Sequence, residues 1–185
     1  MKSTMKSNRI LISKLDAARR QIETASKLFF SNSDFVSIHT LSYAAFTITK
    51  NLCDMTNNRA SFTKWVHEHI DSSQHQQLFS AINAAGNFFK HADKDPDHIF
   101  EYIPDQFDIL LILAVRQYEA ITRELTLPMS VFKAWFLLKN PSWQPDEKLR
   151  NQILITKPDL DAMTKQEFYE FASKTYRNAE DKMLA

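Results

Sequence analysis

The chain has 185 residues, 44% of them hydrophobic and 12% aromatic, enough for one domain with a sizeable core and too few for two ordinary ones. Its 23 basic and 22 acidic residues leave a formal net charge of +1, which removes the bulk electrostatic argument for nucleic-acid or membrane binding and leaves only local basic patches. A lone cysteine, Cys53, excludes an internal disulfide, and a lone glycine, Gly86, excludes phosphate-cradling loops, dinucleotide fingerprints, the hydrolase nucleophile elbow and primed hairpin turns, all of which need glycine backbone freedom.

The opening segment MKSTMKSNRILISKLDAARR holds three consecutive apolar residues before charge returns, so neither a signal-peptide core nor a membrane span is expected and the setting reads as a reduced cytoplasm. In RILISKLDAARRQIETASKLFF, the residues Leu11, Leu15, Ala18, Ile22, Ala25 and Phe29 recur at alternating spacings of four and three, one buried stripe on a long helix. The chain breaks at SNSD. Ile38, Leu41, Ala45, Ile48 and Leu52 then predict a second helix folding back antiparallel on the first. After the turn TNNRAS a short helix carries Phe62, Trp65, Val66 and Ile70. Ser73 and Gln76 have capping-box spacing for a further helix with the stripe Leu78, Ile82, Ala85 and Phe89, which Pro96 is expected to stop.

Pro104 and Asp105 open the next predicted helix, with Phe107, Leu111, Ala114, Tyr118, Ile121 and Leu125 in register. The remainder is less regular but helical, broken at NPSWQP and TKPD; Thr164 and Glu167 form a second capping box ahead of Phe168, Phe171, Ala172 and Tyr176. No strand-type alternation is sustained anywhere. The expected fold is all-α, an up-and-down bundle in a single domain over 1–185, with a core from 1–125 and additional helices in 126–185.

The one glycine sits in INAAGNFFKHADKDPDH, inside a helical pattern where it costs roughly 0.5–1 kcal/mol relative to alanine. A close approach by a neighbouring helix is the expected reason. Advancing about 100° per residue swings Asn83, Asn87, Lys90, His91 and Lys94 to the opposite, polar side, where Asn87 and His91, four apart, project together.

The run KLFFSNSDFVSIHTLSYAAFTITKNLCD resembles the first helix pair of HEPN-family domains, and GNFFKHADKDP is similar to that family's motif of an arginine, often with an adjacent asparagine, followed after a gap of four to six residues by a histidine. Asn87 and His91 match the motif's asparagine and histidine, whereas its arginine has no match. The resemblance spans residues 10 to 125, and the chain also resembles small bacterial proteins sharing LDAARRQ and FFKHADKDP. It implies a HEPN-like bundle in a homodimer, with metal-independent RNA cleavage in a cleft between protomers, of a defence or toxin type. His91 would assist proton transfer, Asn87 would orient it or the phosphate, and Lys90 would supply positive charge, with Arg19 and Arg20 as further cations. No cofactor or metal is expected, nor a membrane. The alternative is a non-catalytic helical module for dimerisation or for a protein partner.

Other clusters carry weaker chemistry. His67, Glu68, His69, Asp71 and His75 in WVHEHIDSSQH lack the paired histidines of a zinc-protease helix, and DKDPD lacks the length of a calcium loop. His39 reads as a core-edge histidine with a hydrogen-bond partner, Cys53 as an inert small hydrophobe, and Trp135, Phe136 and Trp143 as core or as a partner patch.

Overall fold

The computed structural model describes residues 9–91, 93, 96–103 and 107–184. Among them are eight α-helices and no strand: α1 Lys14–Phe30, α2 Phe35–Met55, α3 Phe62–His69, α4 His75–Phe88, α5 Phe107–Thr122, α6 Leu127–Lys139, α7 Glu147–Asp161 and α8 Lys165–Leu184. The all-α expectation therefore holds, and no described helix is long and apolar enough to cross a membrane.

Helix α1 starts later than its stripe suggests. Ser13 caps it, its hydroxyl accepting from the Asp16 amide at 3.0 Å, so the helix begins at Lys14 and Leu11 is left 97% exposed in the chain before it. Ala18, Ile22, Ala25 and Phe29 are buried as the spacing requires. A left-handed Asn32 (φ 49°) turns the chain, and Asp34 caps α2 by accepting from the Ser37 amide at 2.8 Å. Helix α2 lies between α1 and α5 and so buries two faces, Ile38–Ser42–Ala45–Thr49–Cys53 and His39–Tyr43–Phe46. The single stripe through Leu41, Ile48 and Leu52 is corrected accordingly: these three are only half-buried, because a helix with neighbours on two sides has no one inward direction.

Polar groups tie these layers together. Buried Gln117 of α5 donates to the Leu113 carbonyl at 3.2 Å and to the Thr49 hydroxyl at 3.4 Å, and accepts from the Phe62 amide at 3.3 Å. Asp54, near the end of α2, accepts from the hydroxyls of Ser61 and Thr63 and from Lys50. Burial pulls its carboxyl upward, but these donors outweigh it and hold the group below the usual carboxylate range.

The core does not stop at residue 125. Helix α6 buries Met129, Val131, Phe132, Trp135 and Phe136 against α1, and Phe168 and Ala172 of α8 join the same cluster. Edge-on aromatic packing links them, with Phe29 5.2 Å from Phe132 and Trp135 5.1 Å from Phe168 between ring centroids. A short turn at Pro141–Trp143 replaces the predicted break at NPSWQP. The break expected at TKPD is absent, since α7 runs through residue 158 to Asp161; a proline removes one backbone donor there, and the neighbouring turns carry the helix past it. The Thr164–Glu167 box is formed in both directions, at 2.8 Å and 3.2 Å, while Phe171 is half exposed and Tyr176, partly exposed, donates its hydroxyl to the Ser130 carbonyl of α6 at 3.4 Å. Pro104 and Asp105, and the side chain of Phe107, lie outside the described residues.

Candidate functional site

Helix α4 is seated on α2 by its glycine. A Cβ built on Gly86 would lie 2.5–2.7 Å from three ring carbons of Tyr43, so only glycine lets the two backbones come this close. The Tyr43 hydroxyl donates to Asn83 Oδ1 at 2.9 Å, and the Lys90 ammonium sits 4.6 Å from the centroid of the same ring, a cation–π contact. Two assignments to the outer face are corrected by this. Asn83 and Lys90 both turn toward α2, because Gly86 and not the Leu78–Ile82 stripe marks the centre of the contact. Lys94 lies outside the described residues.

Both ends of α4 differ from expectation. Ser73 does not pair with Gln76; its amide and hydroxyl go to Asp71 Oδ1, at 2.8 and 2.5 Å, which caps a one-turn 3₁₀ segment, Ser72–Gln74, ahead of α4. The helix then ends at Phe88 and not at Pro96. The amides of Lys90 and His91 close a last turn on the Asn87 carbonyl, each at 3.1 Å. Aromatic packing accounts for the early stop, since Phe88 stacks on Phe100 (5.1 Å) and Phe89 meets Tyr102 (5.5 Å) from the returning segment 98–103. Tyr102 is itself held by Phe35 at 5.3 Å and by His39, whose Nδ1 lies 2.9 Å from its hydroxyl.

This turn forms a half-open hollow of about 540 Å³, lined by Ala84, Asn87, Phe88, His91, Asp93, His98 and Phe100. Asn87 and His91, paired in the sequence, thus share one cavity, and the His91 side chain is 61% exposed with Nδ1 4.0 Å from Asp93 Oδ1. His98 is the member that the motif spacing missed: it lies beyond the helix, in the returning segment, where its ring packs on Phe88 at 5.8 Å. Lys90 is not among the lining residues. Arg19 and Arg20 are held on α1 instead, Arg19 by Asp16 at 2.8 Å and Glu23 at 3.1 Å, and Arg20 by Asp16 at 3.6 Å. The hollow therefore offers two imidazoles, a carboxamide, a carboxylate and two phenyl faces. Such a set can move protons and hold a planar ring.

The remaining clusters take structural positions. His67 and His75 lie ring to ring at 4.7 Å, and the outer histidines bond to backbone, His75 to the Ile70 carbonyl and His69 to the Trp65 carbonyl, each at 2.9 Å. No group of three or more histidine, cysteine or acidic side chains that could hold a metal ion occurs among the described residues. His39 is buried with Nε2 lacking a partner, and burial depresses its imidazole to about 4. Cys53 is fully buried, its thiol pushed up to about 11 by burial and by Asp54. Trp135 and Phe136 belong to the core, whereas Trp143 is only half-buried. Comparison of the chain with protein-family models, with curated proteins and with solved structures finds no match.

Proposed function

We propose that this chain is a HEPN-like helical protein that acts on RNA, without a metal, at the hollow between the end of α4 and segment 98–103. One observation carries this: Asn87 and His91, the residues that match the family motif, share the hollow with a second imidazole, His98. Imidazole gives and takes a proton near neutral pH, and two of them suffice for strand transfer. One accepts the proton of a ribose 2′-hydroxyl as its oxygen bonds to the adjacent phosphorus. The other donates a proton to the 5′-oxygen as its bond to phosphorus breaks. The products are a 2′,3′-cyclic phosphate and a 5′-hydroxyl. The Asn87 amide can donate to a non-bridging oxygen, Lys90 would add charge by leaving the Tyr43 ring, and Phe88 and Phe100 offer faces for bases.

A homodimer fits the same place. Ile99 and Ile103 of the same returning segment are 89% and 59% exposed, and a second copy of the chain would cover them. A non-catalytic module that docks RNA or a protein partner is the second reading. It is favoured by the absence of arginine and lysine among the described lining residues and by the Asp93 carboxylate, which repels phosphate.

Incubating wild type, His91→Ala and His98→Ala with single-stranded and structured RNA in EDTA separates the two. Cleavage to cyclic-phosphate ends is expected, falling by roughly two to four orders of magnitude in each variant while both stay folded. Retained RNA binding with no cleavage would select the docking module. Neither binding nor cleavage across substrates would remove RNA from the account.

A further inference from the structure

A larger hollow, about 770 Å³, opens where the turn between α2 and α3 meets the C-terminal half of α5 and the Pro141–Trp143 turn. It lies at the other end of α2 from His91: α2 passes Gly86 at Tyr43 and reaches this pocket just beyond Met55, roughly 18 Å along its axis. Its walls bring together Arg59, Arg116 and Arg123 with the indoles of Trp65 and Trp143.

The charges there are unbalanced. Glu119 is the one carboxylate among the described lining residues, and Lys133 of α6 already holds it, at 2.6 and 2.8 Å. None of the three guanidinium groups makes an ion pair or side-chain hydrogen bond among the described residues, and all three arginines are exposed. Three exposed guanidinium groups around one hollow leave a local excess of positive charge, which a bound anion would offset. The guanidinium fork matches the oxygens of phosphate in spacing and number of donors. The aromatic walls are already oriented: Trp65 stacks on Phe62 at 6.1 Å and on His69 at 5.3 Å, and Trp143 meets the Phe136 ring edge-on at 5.1 Å. The volume falls within the ordinary range of small-ligand pockets, roughly 300–1,000 Å³.

We infer that this pocket binds a nucleoside phosphate, the phosphate on Arg59, Arg116 and Arg123 and the flat base against Trp65 and Trp143. Anion and ring are both needed, since arginines alone would take any phosphate and tryptophans alone any planar apolar molecule. The site does not depend on the RNA chemistry assigned to His91. Its ligand is a free nucleotide, held by contacts that are blind to base identity because every base presents a π-face.

Calorimetric titration with adenosine, guanosine and uridine 5′-monophosphates, with adenosine, and with inorganic phosphate tests this. Saturable binding of the monophosphates is expected, tighter than that of adenosine or phosphate. Arg59→Ala and Arg116→Ala should each weaken it roughly ten- to hundredfold with unchanged thermal unfolding, because both side chains are exposed and touch no polar partner. Trp143→Leu should weaken the monophosphates but not phosphate, and Trp143→Phe should retain them. His91→Ala should bind as wild type does, so that failure at one site is distinguishable from failure at the other. The assignment is overturned if no monophosphate binds saturably, if binding survives the Arg59→Ala/Arg116→Ala double variant, or if Trp143→Leu leaves monophosphate affinity unchanged.

Discussion

Gly86→Ala tests the seat of α4 on α2 with a single methyl group. In a solvent-facing helix the change stabilises by roughly 0.5–1 kcal/mol through helix propensity. Here the new Cβ would stand 2.5–2.7 Å from the Tyr43 ring, against the roughly 3.5–4.0 Å at which carbons rest, so the ring or the helix must move by about 1 Å. Tyr43 has little room to yield. It is buried, its hydroxyl is bonded to Asn83 at 2.9 Å, Lys90 lies over its face and His39 stacks at 6.3 Å. Overpacking of a held site costs roughly 1–3 kcal/mol, which exceeds the propensity gain and leaves a net loss of about 1 kcal/mol. For a chain of this length that lowers the melting temperature by roughly 2–4 °C. Gly86→Leu should lose more, about 3 kcal/mol. Urea and thermal unfolding of Gly86→Ala in the wild-type and Tyr43→Leu backgrounds measure the coupling. The loss should vanish or reverse once the ring is removed. A higher midpoint for Gly86→Ala in the wild-type background, or the same loss in both, would refute the close contact.

Two further outcomes follow from buried titratable groups. His39 is depressed to about 4 in the folded chain, against about 6.5 when unfolded, so the unfolded state binds more protons between these values. Its contribution is complete above pH 6.5 and is lost as pH falls toward 4, about 3 kcal/mol in all by linkage; urea unfolding at pH 7 and pH 4.5 should show this slope, and His39→Gln should flatten it. The Cys53 thiol, pushed up to about 11 and fully buried, should react with a thiol reagent at pH 8 only as fast as the protein opens, and at once in denaturant; stoichiometric labelling of native protein within seconds would contradict its position beneath α5.

The sequence by itself determined the helices, because the signals that define them act over one or two turns. The Ala18–Ile22–Ala25–Phe29 stripe, the Thr164–Glu167 box and the demand of Gly86 for a close neighbour all depend on residues a few positions apart, and the structure has each of them. Tertiary packing decided what those local rules leave open. Helix α4 ends at Phe88 because its aromatic end meets Phe100 and Tyr102, which spacing within α4 cannot express. Asn83 and Lys90 turn inward because Tyr43, on another helix, offers a hydroxyl and a ring face. Asn87 and His91 were legible as a pair at i and i+4, whereas His98 joins them only because the chain folds back after α4. Arg59, Arg116 and Arg123 come from two separate stretches of chain, and no local pattern marks them as a set. A helix's direction of burial and its end depend on what lies beside it, and that neighbour comes from elsewhere in the chain, fixed only when the bundle closes.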